Sequence, residues 1–155
     1  MQEHRLMEIM IPLKDYATVS LDETIEEALK ISKEKSERLS PEKFRHTAIL
    51  VKDAGGNIVG KLTQADILRG LVQDYMVSDK TFLGRCKALR DKEVHEFMTT
   101  VTLTVDVNEE LVHALQILET SGHRGLLVTG EGKKPIGMLR LTDIYQLVRE
   151  TILED

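Results

Sequence analysis

The stretch Ile58-Val59-Gly60-Lys61-Leu62-Thr63-Gln64-Ala65-Asp66-Ile67-Leu68 moves from an apolar run broken by one glycine into Thr-x-x-Asp, and then into an apolar pair at helical spacing. A β-type run followed by such a step predicts a strand that hands directly to a capped helix. The pattern returns 77 positions later: Gly60, Leu62, Asp66 and Ile67 are answered by Gly137, Leu139, Asp143 and Ile144. The run upstream obeys the same offset, with His46-Thr47-Ala48-Ile49-Leu50-Val51 set against His123-Arg124-Gly125-Leu126-Leu127-Val128. A chain that repeats itself on this scale is built from copies of one supersecondary unit.

Two further blocks extend the repeat toward the N-terminus. Val19, Ile25 and Ala28-Leu29 match Val105, Leu111 and Ala114-Leu115 at an offset of 86, and Leu6-Met7-Glu8-Ile9-Met10 matches Val94-His95-Glu96-Phe97-Met98 at an offset of 88. The drop from 86 to 77 places nine extra residues in the first copy, between Leu29 and His46. Residues 33–45 are mostly charged and contain Ser40-Pro41-Glu42, which reads as a helix extension, a break, and a fresh N-cap with proline at the first helical position. A solvated excursion is the expectation there.

Each copy has the same local grammar. Residues 17–21 and 102–107 are short β-type runs; Asp22 and Asn108 are expected N-caps, each with a glutamate in the next turn; Ile25, Ala28, Leu29 and Leu111, Ala114, Leu115, Leu118 form helical stripes. Strands at 48–51 and 58–62, or 126–128 and 136–139, flank the turns Asp53-Ala54-Gly55-Gly56-Asn57 and Gly130-Glu131-Gly132. Closing helices carry Ile67, Leu68, Leu71 and Ile144, Leu147, Val148 on one face. The order is β-α-β-β-α twice. A three-stranded sheet covered on one face by two helices cannot bury its other face alone. The fold class expected is therefore α/β (α+β), two such units packed sheet to sheet with pseudo-twofold symmetry, a cleft on each side of the sheet interface, and Val51 and Val128 in the core. Phe82, Leu83, Cys86 and Leu89 at helical spacing predict a docked connecting helix with a buried, inert thiol. The domain organisation reads 1–75 for the first unit, 76–93 for the connecting helix and 94–155 for the second unit.

The bulk properties narrow the function. The chain has 155 residues, 41% of them apolar, which suits a folded protein and not a disordered one; aromatics are 4% and tryptophan is absent, so the core must be aliphatic. A net charge of −5 argues against nucleic acid as a partner. One cysteine allows no internal disulfide and no cysteine-rich zinc site. No apolar run approaches the roughly 20 residues needed to cross a bilayer, and Met1 to Met10 carries charges where a signal peptide has its apolar centre. A cytoplasmic protein, without a membrane, is the expectation.

The order apolar-x-x-apolar-Met, short strand, helix, strand, Gly turn, then Gly-apolar-apolar-Thr-x-x-Asp resembles the cystathionine β-synthase (CBS) domain, and two in tandem resemble a CBS pair, or Bateman module. The resemblance runs from about Leu6 to Arg149. It implies a regulatory module, not an enzyme, that binds adenine nucleotides (AMP, ADP, ATP) or S-adenosylmethionine in the clefts between the copies, requires no cofactor, forms homodimers, and signals to an effector protein. It also implies roles for residues. Asp66 takes the ribose hydroxyls and Thr63 lies near phosphate; Asp143 matches Asp66, while Arg140 stands where the threonine would be, with Thr142 one residue before the aspartate. His46 with Thr47, and His123 with Arg124, occupy the place of a phosphate-side basic pair, and Lys61, Ile11, Pro12 and Thr99 lie near base or phosphate.

Each of these residues has a plainer reading. Thr63 and Asp66 make a capping box in their own right. Arg140 either pairs with a phosphate, fills the cleft, or points into water. The histidines are scattered without metal-ligand spacing, and His4, His95 and His113 add none. Gly130-Glu131-Gly132-Lys133-Lys134 lacks the spacing and the hydroxyl residue of a phosphate loop, and reads as a solvated hairpin. No nucleophile lies next to a base in a catalytic pattern. The alternative function is a dimerisation or scaffold module whose clefts have degenerated and bind no small molecule.

Overall fold

In the computed structural model, which describes residues 5–37, 48–101 and 103–154, the two apolar runs of the first copy become an antiparallel hairpin. Strands β3 (Ile49–Lys52) and β4 (Ile58–Leu62) pair with Val51 opposite Gly60, and the turn between them is held by Asp53, whose Oδ1 accepts from the N–H groups of Gly55 and Asn57 at 2.9 Å each. Gly56, at φ +83°, supplies the left-handed residue this turn needs. Strand β2 (Thr18–Ser20) lies parallel to β3, and helix α2 (Ile25–Ser36) connects them across the excursion. Helix α3 (Gln64–Leu71) follows β4 directly, and α4 (Phe82–Arg90) follows a short loop. The second copy repeats this with β6 (Thr104–Asp106), α5 (Leu111–Ser121), β7 (Gly125–Thr129), β8 (Pro135–Arg140) and α6 (Leu141–Leu153).

Each sheet has four strands, one more than the sequence predicts. The fourth is two residues long: β5 (Thr99–Thr100) lines up antiparallel to β4, and β1 (Ile11–Pro12), which follows the single helical turn α1 (Leu6–Ile9), lines up antiparallel to β8. A two-residue strand carries no alternation that a sequence can display. The orders are β2-β3-β4-β5 and β1-β8-β7-β6.

These short strands reveal an exchange. The chain divides into a first unit of residues 14–101 and a second unit of residues 5–13 with 103–154. The leading motif of each repeat is thus built into the other repeat's sheet. Val94 and Phe97 are buried with Val19, Ile25, Val51 and Leu62, whereas Leu6 is buried with Val105, Leu118, Leu126, Val128 and Leu139. The motif methionine explains the glycine in each sheet: a Cβ on Gly60 would stand 2.5 Å from the Met98 sulfur, and one on Gly137 would stand 2.6 Å from that of Met10. Only a residue without a side chain lets the methionine lie across the strand. Val51 and Val128 are fully buried in their respective cores, as expected.

Other local expectations shift. The first long helix of each copy starts two residues late: Thr24, not Asp22, is the N-cap and accepts from Glu27 N–H at 3.1 Å, and Glu110 stands at the equivalent boundary beyond Asn108. The turn leaving each strand consumes the intervening residues, with Glu23 N–H donating to Ser20 O and Glu109 N–H to Asp106 O. In α4 only Leu89 of the expected stripe is buried; Phe82 and Leu83 are exposed and Cys86 is half-buried. The helix is fixed mainly by Leu89 and by Arg85, which donates to Leu71 O, Lys80 O and Asp74. Residues 131–133 form one exposed 3-10 turn with Gly132 and Lys133 both at positive φ. The later part of the charged insertion, including Ser40-Pro41-Glu42, lies outside the described residues.

Candidate functional site

In the first unit, β4 ends at Leu62 and the next residue caps α3. Thr63 Oγ1 accepts from Asp66 N–H at 3.1 Å, and Thr63 N–H donates back to Asp66 Oδ2 at 2.9 Å. Both orphan donors at the helix start are thereby satisfied, so the capping-box reading holds. The carboxylate does more than cap. Its other oxygen, Oδ1, accepts the Thr99 hydroxyl at 2.9 Å and Arg69 Nη1 at 2.9 Å. Asp66 is 1% exposed, the one buried charged side chain among the described residues, and Arg69 reaches it from an otherwise exposed position. Burial alone raises a carboxyl pKa; here the hydrogen bonds from Thr63 N–H, the Thr99 and Thr63 hydroxyls and Arg69 outweigh it and hold Asp66 below the ordinary range. Thr99 is delivered by β5, where it sits opposite Lys61. Thr63, Asp66 and Thr99 are therefore brought together by hydrogen bonds as a hydroxyl-lined acceptor, and Lys61 is paired with Thr99 across the strands.

Arg69 was not singled out from sequence, although its place three residues after Asp66 on one helix is a recognisable spacing. The contact of Thr99 with Asp66, 33 residues apart, has no local signal.

In the second unit the same frame holds different chemistry. Arg140 occupies the N-cap of α6, and its guanidinium, which only donates, cannot accept from the helix N–H groups. It turns onto Asp143 instead: Nε donates to Oδ2 at 2.9 Å, Nη2 to Oδ1 at 2.7 Å, and the backbone N–H to Oδ2 at 3.3 Å. Both side chains are 17% exposed. Ile11 and Pro12 pair with Met138 and Gly137, so apolar groups fill the places that Thr99 and Lys61 take in the first unit. The exposed pair His123 and Arg124 precedes β7, and Arg124 O accepts Leu141 N–H at 2.9 Å, which sets them beside the start of α6. His46 and Thr47 lie outside the described residues.

Among the described residues no three His, Cys, Asp or Glu side chains gather as a metal site, and no helix is long and apolar enough to cross a membrane.

The fold is similar to that of several solved proteins. A CBS domain-containing protein of unknown function from Bacillus anthracis str. Ames Ancestor matches with a TM-score of 0.70 at 19% identity, over 96% of this chain and 95% of that one. CBSX2, solved in complex with AMP, matches with a TM-score of 0.65 at 21% identity, over 96% and 98% of the two chains. The cytosolic domain of the Mg2+ channel MgtE, solved in complex with ATP, matches with a TM-score of 0.64 at 19% identity, over 94% of this chain and 49% of that one. No curated protein matches the sequence. The CBS domain family model matches residues 6–73 and again residues 94–150, the two repeats found above, and the chain belongs to the CBS domain family as a tandem pair.

Proposed function

We propose that this chain is a regulatory module that binds an adenosyl compound and passes its occupancy to an effector protein, with no catalytic step of its own. The observation that carries the reading is the Asp66 carboxylate. It is buried, held ionised, and already accepts a hydroxyl from Thr99 at 2.9 Å, so a ribose hydroxyl would make the same bond to the same oxygen. Lys61, paired with Thr99 across the strands, would supply positive charge to a phosphate. AMP and ATP in the solved structures of two proteins of like fold support an adenine nucleotide; ADP and S-adenosylmethionine belong in the same screen. In the second unit Asp143, His123 and Arg124 hold the equivalent places, with Ile11 and Pro12 lining the strand beside them.

Adding AMP, ADP, ATP or S-adenosylmethionine should raise the melting temperature, since a ligand at about 100 times its Kd contributes about 2.7 kcal/mol. Asp66→Asn, which keeps the shape and removes the charge, should weaken binding about ten- to a hundredfold. Equal affinity for wild type and Asp66→Asn in calorimetry would end the assignment.

A homodimer fits the outer faces of the closing helices and of the turn that follows α3. Leu68 and Tyr75 in the first copy, and Tyr145 and Ile152 at the same repeat positions in the second, are all exposed apolar groups. A monomer in sedimentation at tens of micromolar would reject it. A cytoplasmic location without nucleic acid or membrane partner goes with this reading. The scaffold alternative draws its support from the second unit, where Arg140 already engages Asp143.

A further inference from the structure

The Asp66 carboxylate is 1% exposed, so a hydroxyl from outside reaches it only by taking a place that the protein already holds. Oδ2 accepts the backbone N–H of Thr63, and Oδ1 accepts the Thr99 hydroxyl and Arg69 Nη1, each at 2.9 Å. These places are not equally easy to vacate. The Thr63 N–H belongs to the capping box, and giving it up would unfasten the start of α3. Arg69 brings a positive charge, and a neutral hydroxyl in its stead would leave a buried carboxylate without that counter-charge.

Thr99 brings a neutral hydroxyl, which a ribose hydroxyl replaces like for like. The residue is exposed, and its backbone is held separately, by pairing with Lys61 in β4. One rotation about χ1 therefore turns the hydroxyl from Asp66 to water and leaves the strand in place. The strand itself does not require the hydroxyl. In the second unit Ile11 stands opposite Met138 as Thr99 stands opposite Lys61, and a side chain with no polar atom completes that sheet.

We propose that Thr99 is a specificity-determining residue: its hydroxyl occupies the Asp66 oxygen that a ribose hydroxyl takes, and the ligand binds by turning it out. The proposal rests on the adenosyl reading of Asp66. Thr99 then sets affinity by competition, because the binding-competent chain is the one in which the Thr99–Asp66 bond is already broken. It also selects, because a ligand that displaces Thr99 without returning a donor to Oδ1 loses a bond that it does not replace.

The test is calorimetric titration of the full chain with AMP in wild type, Thr99→Val, Thr99→Ser and Arg69→Gln, with urea melts to confirm folding. Thr99→Val keeps the shape and removes the competitor, so it should bind AMP about five- to thirtyfold more tightly than wild type. Thr99→Ala replaces it should the valine variant fail to fold. Thr99→Ser restores the hydroxyl and should abolish the gain, and Arg69→Gln should not tighten binding. With the monodeoxy form of AMP that lacks the exchanged hydroxyl, the gain in Thr99→Val should disappear. Equal or weaker AMP binding by a folded Thr99→Val or Thr99→Ala chain would overturn the proposal, since a residue that helps to hold the ligand behaves in that way. A full gain in Thr99→Ser, in Arg69→Gln, or with both monodeoxy forms would overturn it as well. Three-bond couplings across χ1 of Thr99 read the competitor directly by NMR: one rotamer without ligand, and a changed or averaged one in saturating AMP. A Thr99 side chain that averages without ligand, or that keeps its rotamer in AMP, would overturn the proposal. If the rotamer is fixed without ligand but neither wild type nor any variant binds AMP, the adenosyl reading is what has failed, and the role given to Thr99 goes with it.

Discussion

Asp66 and Asp143 occupy the same position in the two repeats and keep opposite company. Asp66 is fully buried and gathers its donors from three places: the backbone at the helix start, one turn along the helix, and a strand from the far side of the connecting helix. Asp143 takes its three contacts from a single residue, Arg140. The contrast shows that a repeated backbone fixes where a carboxylate stands, while its neighbours decide what it does. In the first unit it ties separate segments together; in the second it settles one cation.

The comparison breaks first, and most severely, at the exchanged segments. Removing residues 1–12 takes β1, Leu6 and Met10 from the second unit. Hydrogen exchange should then show protection lost at Val105, Leu126 and Val128 and kept at Val19, Leu50 and Val51. Point changes should echo this: Leu6→Ala, at a fully buried site, should cost about 2–5 kcal/mol in urea unfolding.

The carboxylates themselves come next. Asp66→Ala empties a buried position and removes the acceptor of the Thr63 N–H, the Thr99 hydroxyl and Arg69, and should cost about 2–3 kcal/mol. Asp143→Ala removes a partly exposed pair and should cost about 1 kcal/mol. Equal losses in urea titrations would mean that burial of Asp66 contributes nothing beyond its cap. Thr99→Val then isolates the strand-to-helix tie, and should cost about 1–2 kcal/mol with the remaining cap intact.

The smallest effect is the dependence on acid. The pKa of Asp66 is lower in the folded chain than in the unfolded one, so the unfolded state takes up its proton first as pH falls. The stability it contributes is fully present above the ordinary carboxylate range, about pH 4, and is lost as pH drops through the folded value. In Asp66→Asn this part of the acid slope should vanish, which paired melts between neutral and acid pH will measure.

Much of this was legible in the residues. The hairpins at 49–62 and 125–140 announced themselves by apolar runs around turn residues, and the Thr63-x-x-Asp66 step announced its cap. The exchange was not legible. A repeat offset says that Leu6 and Val94 are equivalent, and is silent on which sheet each one joins. The N-caps slipped from Asp22 to Thr24 because both residues can cap, and the length of the preceding turn chooses between them. Phe82 and Leu83 suggested a buried face, but a stripe shows only which residues lie on one side, not whether anything covers it. The Arg140–Asp143 pair sits at a spacing any helix brings together, whereas the Thr99–Asp66 bond depends on a two-residue strand with no signature of its own.

The antiparallel pairing of Ile11 with Met138 has a consequence in time as well as in space. Synthesis runs from the N-terminus, so β1 leaves the ribosome long before its partner β8 and waits while every strand between them is made. Contacts of such high sequence separation slow folding, because closure must precede any reward from pairing. The first unit closes as soon as Thr100 is available, and the second stays open until its own final hairpin exists. Maturation should therefore be ordered, with a transient species in which residues 14–101 are native and an unpaired β8 edge is exposed, the point at which a nascent chain would most need a chaperone.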